Sequence, residues 1–363
     1  MGDYDFDIAV IGGGSAGYAT ARTTATAGHR TVVIESGEEL GGLCILRGCM
    51  PTKALLHAAD VRFQAGRSQL WGLEPGAIDF DFQAVMRRKT AMVEAFASYR
   101  RGQLQDGRFE LIRGLAKFRD PYTLELDNGQ TVTAGHFMIS TGSRVANLPL
   151  PGLSKIGCMT SNDALQLESL PKSIIVLGGG AVALEFAQFF ARFDVEVTVL
   201  QRSTHILKAF DNDVAGEVEA AFGNEGITIH TGCSLIDARQ GDKEKVIMYE
   251  HDGAQHEVRA EAVFHGLGRS PNTGSLALEN AGVETEHDRI LCDAHMRTSA
   301  THIYAGGDCT GPHEIVHIAI QQGEIAAHNI LHPTELHSMD YRMLISIVFT
   351  DPQAATVGLT EKA

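Results

Sequence analysis

One local pattern occurs twice in this chain of 363 residues, and it restricts the possible folds more than any other feature. In DFDIAVIGGGSAGYATARTTATAGHRTVVIE, Asp5 to Ile11 reads as a short buried strand and Gly12-x-Gly14-x-x-Gly17 as a tight turn. Ala16 to Ala27 reads as a helix, and Thr31 to Ile34 as a second strand that ends at Glu35. Gly12 permits the turn, Gly14 lets the backbone approach a pyrophosphate, and Gly17 lets the helix lie close to the sheet. A carboxylate at the end of the second strand can accept hydrogen bonds from a ribose. The second copy runs through a strand at Ser173 to Leu177, the turn Gly178-x-Gly180-x-x-Ala183, a helix at Leu184 to Phe193 and a strand at Val195 to Leu200. The offset from first glycine to ribose position is the same in both, Gly12 to Glu35 and Gly178 to Gln201. Each copy precedes a β-meander with a turn signal, DNG at 127–129 and DG at 252–253. Each meander leads into a glycine-marked loop, ISTGSRVANLP and then HGLGRSPN, the latter containing Gly268. The expectation is an α/β chain with two Rossmann-like units, and two dinucleotide sites in one chain imply electron passage from one bound cofactor to another.

Between the copies lies GGLCILRGCMPTK, which holds Cys44 and Cys49. If this segment is helical, the two thiols stand little more than one turn apart and can close a small disulfide ring. So short a loop restrains little chain entropy and suits electron traffic better than stabilisation. A C-x4-C spacing is equally half of a zinc site, for which His57 is the one further ligand nearby.

Composition narrows the function classes. The net charge of −15, from 30 basic and 45 acidic residues, disfavours nucleic acid or an anionic membrane as partner. No apolar run reaches the ~18 residues of a membrane span, and the acidic start MGDYDFD reads straight into a strand, so no signal peptide is expected. Six cysteines are too few for a disulfide framework in a chain this long, so a cytoplasmic location is expected. Cys158, Cys233, Cys292 and Cys309 read as buried small hydrophobes. Of the sixteen histidines, His313 and His317 fall close together, and no metal is assigned. Phe82 to Tyr99 reads as a helix with one solvated face.

GGLCILRGCMPTK, the paired fingerprints and AGGDC at 305–309 together resemble the FAD-dependent pyridine-nucleotide disulfide oxidoreductases, which include dihydrolipoamide dehydrogenase, glutathione reductase and mercuric reductase. The resemblance implies an FAD-binding domain at 1–150, an inserted NAD(P)-binding domain at 151–270 and a return to the FAD domain at 271–338. Residues 339–363 would begin an α+β dimerisation domain, of which the chain holds a stub. It further implies that Asp308 binds the flavin's ribityl chain, that Thr141 and Gly142 belong to the loop re-entering the FAD site, and that Gly42 lies in the same site. Cys49 matches the thiolate next to the flavin, Cys44 the interchange thiol that attacks the acceptor, and Lys53 with Glu185 the ion pair near the flavin's reactive nitrogen. A plain solvated helix glutamate is the bland reading of Glu185.

Gln201 in place of an acid leaves room for a 2′-phosphate, and Arg202 and Lys208 supply cations, so NADPH is expected, with NAD as the alternative. Arg202 and Lys208 as simple surface charges is the competing view. Ala183 at the third glycine position also resembles the NADPH-using members, whereas Ala181 replaces the tyrosine of glutathione reductases. AVALEFAQFFARF, VTVLQRST, MRTSATHIYAGGDC and FTDPQAATVG look most like mercuric reductase, while His317 looks more like dihydrolipoamide dehydrogenase. The substrate expected is a small-molecule disulfide, a dithiol or a thiol-reactive species, with a disulfide or thiol-reactive species as acceptor, and the full-length form is expected to be a homodimer. A flavin-binding scaffold without turnover is the alternative. LHPTEL at 331–336 imitates the family's C-terminal His-Glu motif, but His332 and Glu335 read as a linker. The apolar strand from Met343 to Phe349 is expected to have little to pack against.

Overall fold

The computed structural model describes residues 4–74, 78–311 and 313–361, so the first three residues of the acidic start and the last two of 339–363 lie outside it. The chain forms two compact units. One comprises Met1–Leu46, Glu94–Arg144 and Arg269–Leu344; the other comprises Arg47–Val93, Val145–Gly268 and Ile345–Ala363.

In the first unit, the strands Phe6–Ile11 and Thr31–Glu35 flank the helix Ser15–Thr26. Phe6–Ile11 sits mid-sheet, parallel to Thr31–Glu35 on one side and to Thr131–Ile139 on the other. Val10 pairs with both Val33 and Met138. The meander strands Thr123–Leu126 and Ala116–Asp120 add antiparallel at one edge. The late strand Ile303–Ala305 pairs parallel with Thr131–Ile139, so the return of the chain completes this sheet. Alternation decides the burial: Ile8, Val10 and Val33 face one apolar core, while Ala9, Ile11, Val32 and Ile34 face another. A parallel sheet covered on both faces needs such near-continuous apolar strands. The helix Val316–Leu331 lies against Ser15–Thr26, and a Cβ at Gly323 would stand 2.2 Å from the Ala16 carbonyl oxygen. Thr20 Oγ1 donates to the Gly323 carbonyl at 2.9 Å across this close approach.

In the second unit, four parallel strands run in the order Thr228–His230, Glu196–Leu200, Ser173–Leu177, Ala262–His265. Ile174 and Val176 face one core, and Ile175 and Leu177 another. A three-stranded antiparallel sheet, Ser234–Gln240, Lys245–His251 and Ala254–Ala260, is the meander. Its turn falls at Asp252 (φ 51°) and Gly253 (φ 75°), the two left-handed residues that a tight hairpin requires.

Some boundaries differ from expectation. The second fingerprint helix runs Ala181–Ala191, starting at the glycine turn itself rather than at Leu184. The helix expected at Phe82 to Tyr99 continues to Leu104. The apolar strand near the C-terminus does find a partner: Ile345–Val348 pairs with Ala354–Val357, and Val348 and Ala354 are buried in the second unit's core. Ile345, Ile347 and Phe349 stay partly exposed on the other face.

A buried guanidinium ties the second unit together. Arg192, with its side chain 1% exposed, donates twice to Glu225 (2.6 and 2.7 Å), once to Asp351 (2.8 Å) and also to Asp60. The Phe63 ring lies 3.9 Å beneath it. Removing one member of a buried ionic cluster leaves charge without a partner and costs ~3–5 kcal/mol. Arg192→Met is therefore expected to lower unfolding stability by about that amount, read as a shifted denaturant midpoint with retained sensitivity. A parental midpoint would show that the cluster contributes nothing.

Candidate functional site

The first unit builds a cradle at its fingerprint turn. Gly12 holds φ +97°, and a Cβ there would stand 2.5 Å from the Ser140 carbonyl oxygen. At Gly17 a Cβ would meet the Gly12 carbonyl oxygen at 1.9 Å. Around Gly14 there is instead open space: nothing lies within 4 Å of a Cβ position, and it caps the helix with no side-chain hydrogen bond. The first-turn N–H groups of a helix favour an anion, so a pyrophosphate fits this opening. Gly42, with φ +76°, brings its loop against Gly14, where a Cβ would come within 2.8 Å of the Gly14 Cα. Glu35 accepts from the backbone N–H of Gly13 (2.8 Å) and of Gly37 (2.7 Å), so its carboxylate is fixed at the strand end where a ribose would lie.

The re-entering loops meet in the same unit. Asp308 accepts from Ser143 Oγ at 2.6 Å, and Arg269 Nε donates to that same Ser143 Oγ at 2.7 Å. Thr141 and Gly142 precede this serine, and the Gly142 carbonyl accepts from Asn272 N at 2.9 Å. Neither Ser143 nor Arg269 was expected as part of the site; both lie in the glycine-marked loops that follow the meanders, which is the signal available in the sequence. These residues could hold the polyol and diphosphate parts of a flavin dinucleotide.

The second unit repeats the cradle with one exchange. Gly178 holds φ +107°, with a Cβ position 2.5 Å from the Gly266 carbonyl oxygen. Gly180 is open, as Gly14 is. Where the first cradle has glycine at the third position against Ser140, the second has Ala183 against Gly266, and a Cβ at Gly266 would approach that of Ala183 to 2.7 Å. The missing methyl has moved to the opposite wall, and the helix still lies close to the strand. Gln201 is half-buried at the strand end, and its backbone is held by His230 O (2.8 Å) and Cys233 N (2.9 Å). Arg202 and Lys208 are exposed, with neither in an ion pair among the described residues. Gly268, at φ +103°, accepts from Ala146 N at 3.1 Å.

The cysteines do not share one helix. Cys44 belongs to the short helix Leu43–Leu46, and Cys49 opens the helix Cys49–Gly66 after a break at Arg47 and Gly48. Gly48 adopts φ −127° and ψ −115°, outside the helical region. Both thiols are half-exposed. Cys49 thus occupies the first position of an 18-residue helix, where a negative sulfur is favoured. One turn on, Lys53 Nζ donates to both oxygens of Glu185, at 2.9 and 2.7 Å. Glu185 is no solvated helix glutamate: it stands on the second fingerprint helix with its side chain 3% exposed. A second donor, the backbone N–H of Phe349, reaches Glu185 Oε1 at 3.0 Å, and the Phe349 ring lies 4.8 Å from Lys53 Nζ. Sequence reasoning missed Phe349; its place in FTDP was the only hint.

The remaining cysteines and histidines fall elsewhere. Burial pushes the thiols of Cys158 and Cys292 up to about 12 and that of Cys309 to about 11, so all three stay protonated. His317 is exposed, and His57 is exposed on the cysteine helix. Burial lowers the pKa of His313, whose ring lies 4.8 Å from that of Tyr341. His332 caps the helix Val316–Leu331, and Glu335 follows in the turn, its carbonyl 2.9 Å from His328 Nε2. Among the described residues, no three His, Cys, Asp or Glu side chains are placed to share a metal ion. No helix among them is long and apolar enough to cross a membrane.

Comparison with known proteins agrees with this arrangement. A family profile described as pyridine nucleotide-disulphide oxidoreductase matches residues 6–323. A mercuric reductase of Staphylococcus aureus is 33% identical over 362 residues, which cover 99% of this chain but just under two thirds (66%) of that protein. A dihydrolipoyl dehydrogenase of Bacillus subtilis is 32% identical over 373 aligned positions, covering 98% of this chain and 78% of that one. Among solved structures, the HOCl-induced flavoprotein disulfide reductase RclA of Escherichia coli, in its Cu(II) complex, superposes with a TM-score of 0.87. The identity there is 29%, and the match covers all of this chain and 78% of RclA.

The two glycines of the first cradle are expected to fail differently. Gly14→Ala meets no atom and needs no forbidden backbone angle, so the flavin-free chain should melt as the parent does while FAD affinity falls about tenfold or more, as one blocked charge-assisted hydrogen bond would cost. Gly17→Ala should instead lower the melting temperature of the flavin-free chain. Scanning calorimetry with an FAD titration separates the two, and equal behaviour would contradict the assignment.

Proposed function

The chain belongs to the pyridine nucleotide-disulphide oxidoreductase family, and from that premise we propose that it passes electrons from NADPH through FAD to a Cys44–Cys49 disulfide, and from there to an outside acceptor. The observation that carries this reading is the Lys53–Glu185 pair. It joins the helix that Cys49 opens to the fingerprint helix of the second cradle, with a carboxylate that is otherwise too costly to bury. A charge on a helix that also cradles a dinucleotide has a purpose beyond packing.

Bound in the first cradle, a flavin would supply two-electron transfer between a nicotinamide and the cysteine pair. The residues around it divide the remaining work. Glu35 would accept from ribose hydroxyls, and Asp308, which takes a hydrogen bond from Ser143 that Arg269 in turn supports, would accept from the ribityl chain. Glu185 holds the Lys53 ammonium in one direction, and the resemblance gives this pair the role of a fixed positive charge for the flavin's reactive nitrogen. Cys49 is the thiolate retained next to the flavin, because the N-terminus of its helix favours the anion. Cys44 exchanges with the acceptor: its thiolate attacks a sulfur of a disulfide substrate, forming a mixed disulfide while the first substrate thiolate leaves and takes a proton. The Cys49 thiolate then attacks the Cys44 sulfur, expelling the second substrate thiolate and closing the ring again. The acceptor class is a small disulfide or a thiol-reactive species, in the cytoplasm where such thiols are kept reduced, with a homodimer as the working assembly.

NADPH is favoured over NADH because the second strand ends in Gln201, which brings no carboxylate against a 2′-phosphate, and the exposed Arg202 and Lys208 can pair with it.

Cys49→Ser is expected to retain flavin but lose the long-wavelength absorbance that appears on two-electron reduction, while Cys44→Ser shows that absorbance already in the oxidised protein. Identical, unchanged spectra for both variants would refute the division of roles. Arg202→Glu is expected to reverse the NADPH preference in kcat/KM, by tenfold for each ~1.4 kcal/mol of repulsion. Equal use of both nucleotides, unmoved by the substitution, would refute the NADPH assignment. A steady-state screen with lipoamide, glutathione disulfide and mercuric ion identifies the acceptor.

A further inference from the structure

We propose that Phe349 is a positioning residue for Lys53, and that Asp351 locks it in place through the second fingerprint helix. The inference rests on the reading of the Lys53–Glu185 pair given above and adds to it a third participant.

Packing alone does not account for Phe349. The residue is 38% exposed between the buried Val348 and Thr350, and its ring is not a member of the core that Val348 joins. It lies instead 4.8 Å from the Lys53 ammonium, presenting the negative face of an aromatic ring to a cation. Its backbone N–H meanwhile occupies Glu185 Oε1 at 3.0 Å, the same oxygen that Lys53 reaches at 2.9 Å. Lysine is a flexible point charge that loses about 2 kcal/mol of rotamer freedom when held. One carboxylate allows the ammonium to swing about it; a carboxylate with a ring on a second side does not.

The segment carrying Phe349 is itself held in register. Glu185, Gln188 and Arg192 fall at three- and four-residue spacing and so share one face of the helix Ala181–Ala191 and its C-cap. Along that face, Glu185 takes the N–H of Phe349, and Gln188 both accepts from Asp351 N (2.8 Å) and donates to Asp351 O (2.9 Å). Arg192 donates to the Asp351 carboxylate at 2.8 Å. Past the end of the strand at Val348, the backbone N–H groups of residues 349 and 351 both turn toward the helix. All three polar side chains on this face are buried, which makes the contact selective for this register and no other.

The test compares Phe349→Ala, Phe349→Tyr, Asp351→Asn, Lys53→Met and Glu185→Gln by two readouts. The first needs no flavin: the rate at which an N-hydroxysuccinimide ester acylates Lys53 in the flavin-free chain, followed by peptide mass spectrometry. Phe349→Ala is expected to raise that rate about fivefold, the loss of a ~1 kcal/mol cation–π contact. Phe349→Tyr, which keeps the ring, should restore the parental rate, and Asp351→Asn should fall between. The second readout is the midpoint potential of bound flavin, expected about 20 mV more negative in Phe349→Ala, that fivefold converted at ~30 mV per tenfold for two electrons. If Phe349→Ala leaves both readouts parental while Lys53→Met and Glu185→Gln shift the potential, the positioning role is overturned and the role of the pair stands. If Lys53→Met and Glu185→Gln leave the potential parental, the role of the pair fails, and the acylation rates alone decide whether Phe349 positions Lys53.

Discussion

A carboxylate buried in the middle of a helix is tolerated only if its charge is answered, and Glu185 accepts three hydrogen bonds from two donors, Lys53 Nζ and the Phe349 N–H. Lys53 brings the cysteine helix to it, and Phe349 brings the hairpin that begins at Ile345. Three and seven residues further along the same face, Gln188 and Arg192 extend the connection to Asp351, Glu225 and Asp60. Without Glu185 each of these segments could still pack its apolar side, but the ammonium would have no fixed direction. The second unit is therefore arranged around polar contacts that a purely apolar core would not need.

The two cradles illustrate how one local solution is reached by different residues. Close contact between helix and strand demands that a side chain be missing at the crossing, yet not on a given side. The first cradle omits it from the helix at Gly17; the second omits it from the opposite loop at Gly266 and keeps Ala183 on the helix. The physical requirement is the sum of the two, which is why the third position of the fingerprint is less constrained than the first two. The open spaces at Gly14 and Gly180 are different in kind: nothing lies within 4 Å of a Cβ position at either, and each opening sits at a helix N-terminus, where an anion is favoured.

Both fingerprint strands, their helices and the DG turn at Asp252 and Gly253 were legible in the sequence, because glycine spacing and apolar runs act over a few neighbouring residues. Glu185 as the partner of Lys53 could be named only through family resemblance, since 132 positions separate the two. The break at Gly48 went unread: leucine and isoleucine beside Cys44 favour a helix locally, and nothing nearby announces that the chain turns before Cys49. Ser143, Arg269, Phe349 and Asp351 were missed for a common reason. Each acts on a residue distant in sequence, and none carries a composition signal of its own. The partner strand Ala354–Val357 is short and weakly apolar, so pairing with Ile345–Val348 was equally hidden.

The central claim is that two redox centres, a flavin and the Cys44–Cys49 pair, act in series in one chain. Anaerobic titration of the FAD-loaded protein with a two-electron reductant counts them directly. The account predicts uptake of two electron pairs per chain by the parent and a single pair by a variant in which both cysteines are serine. One pair in each protein would mean that the cysteines are not in redox contact with the flavin, and the relay would be wrong.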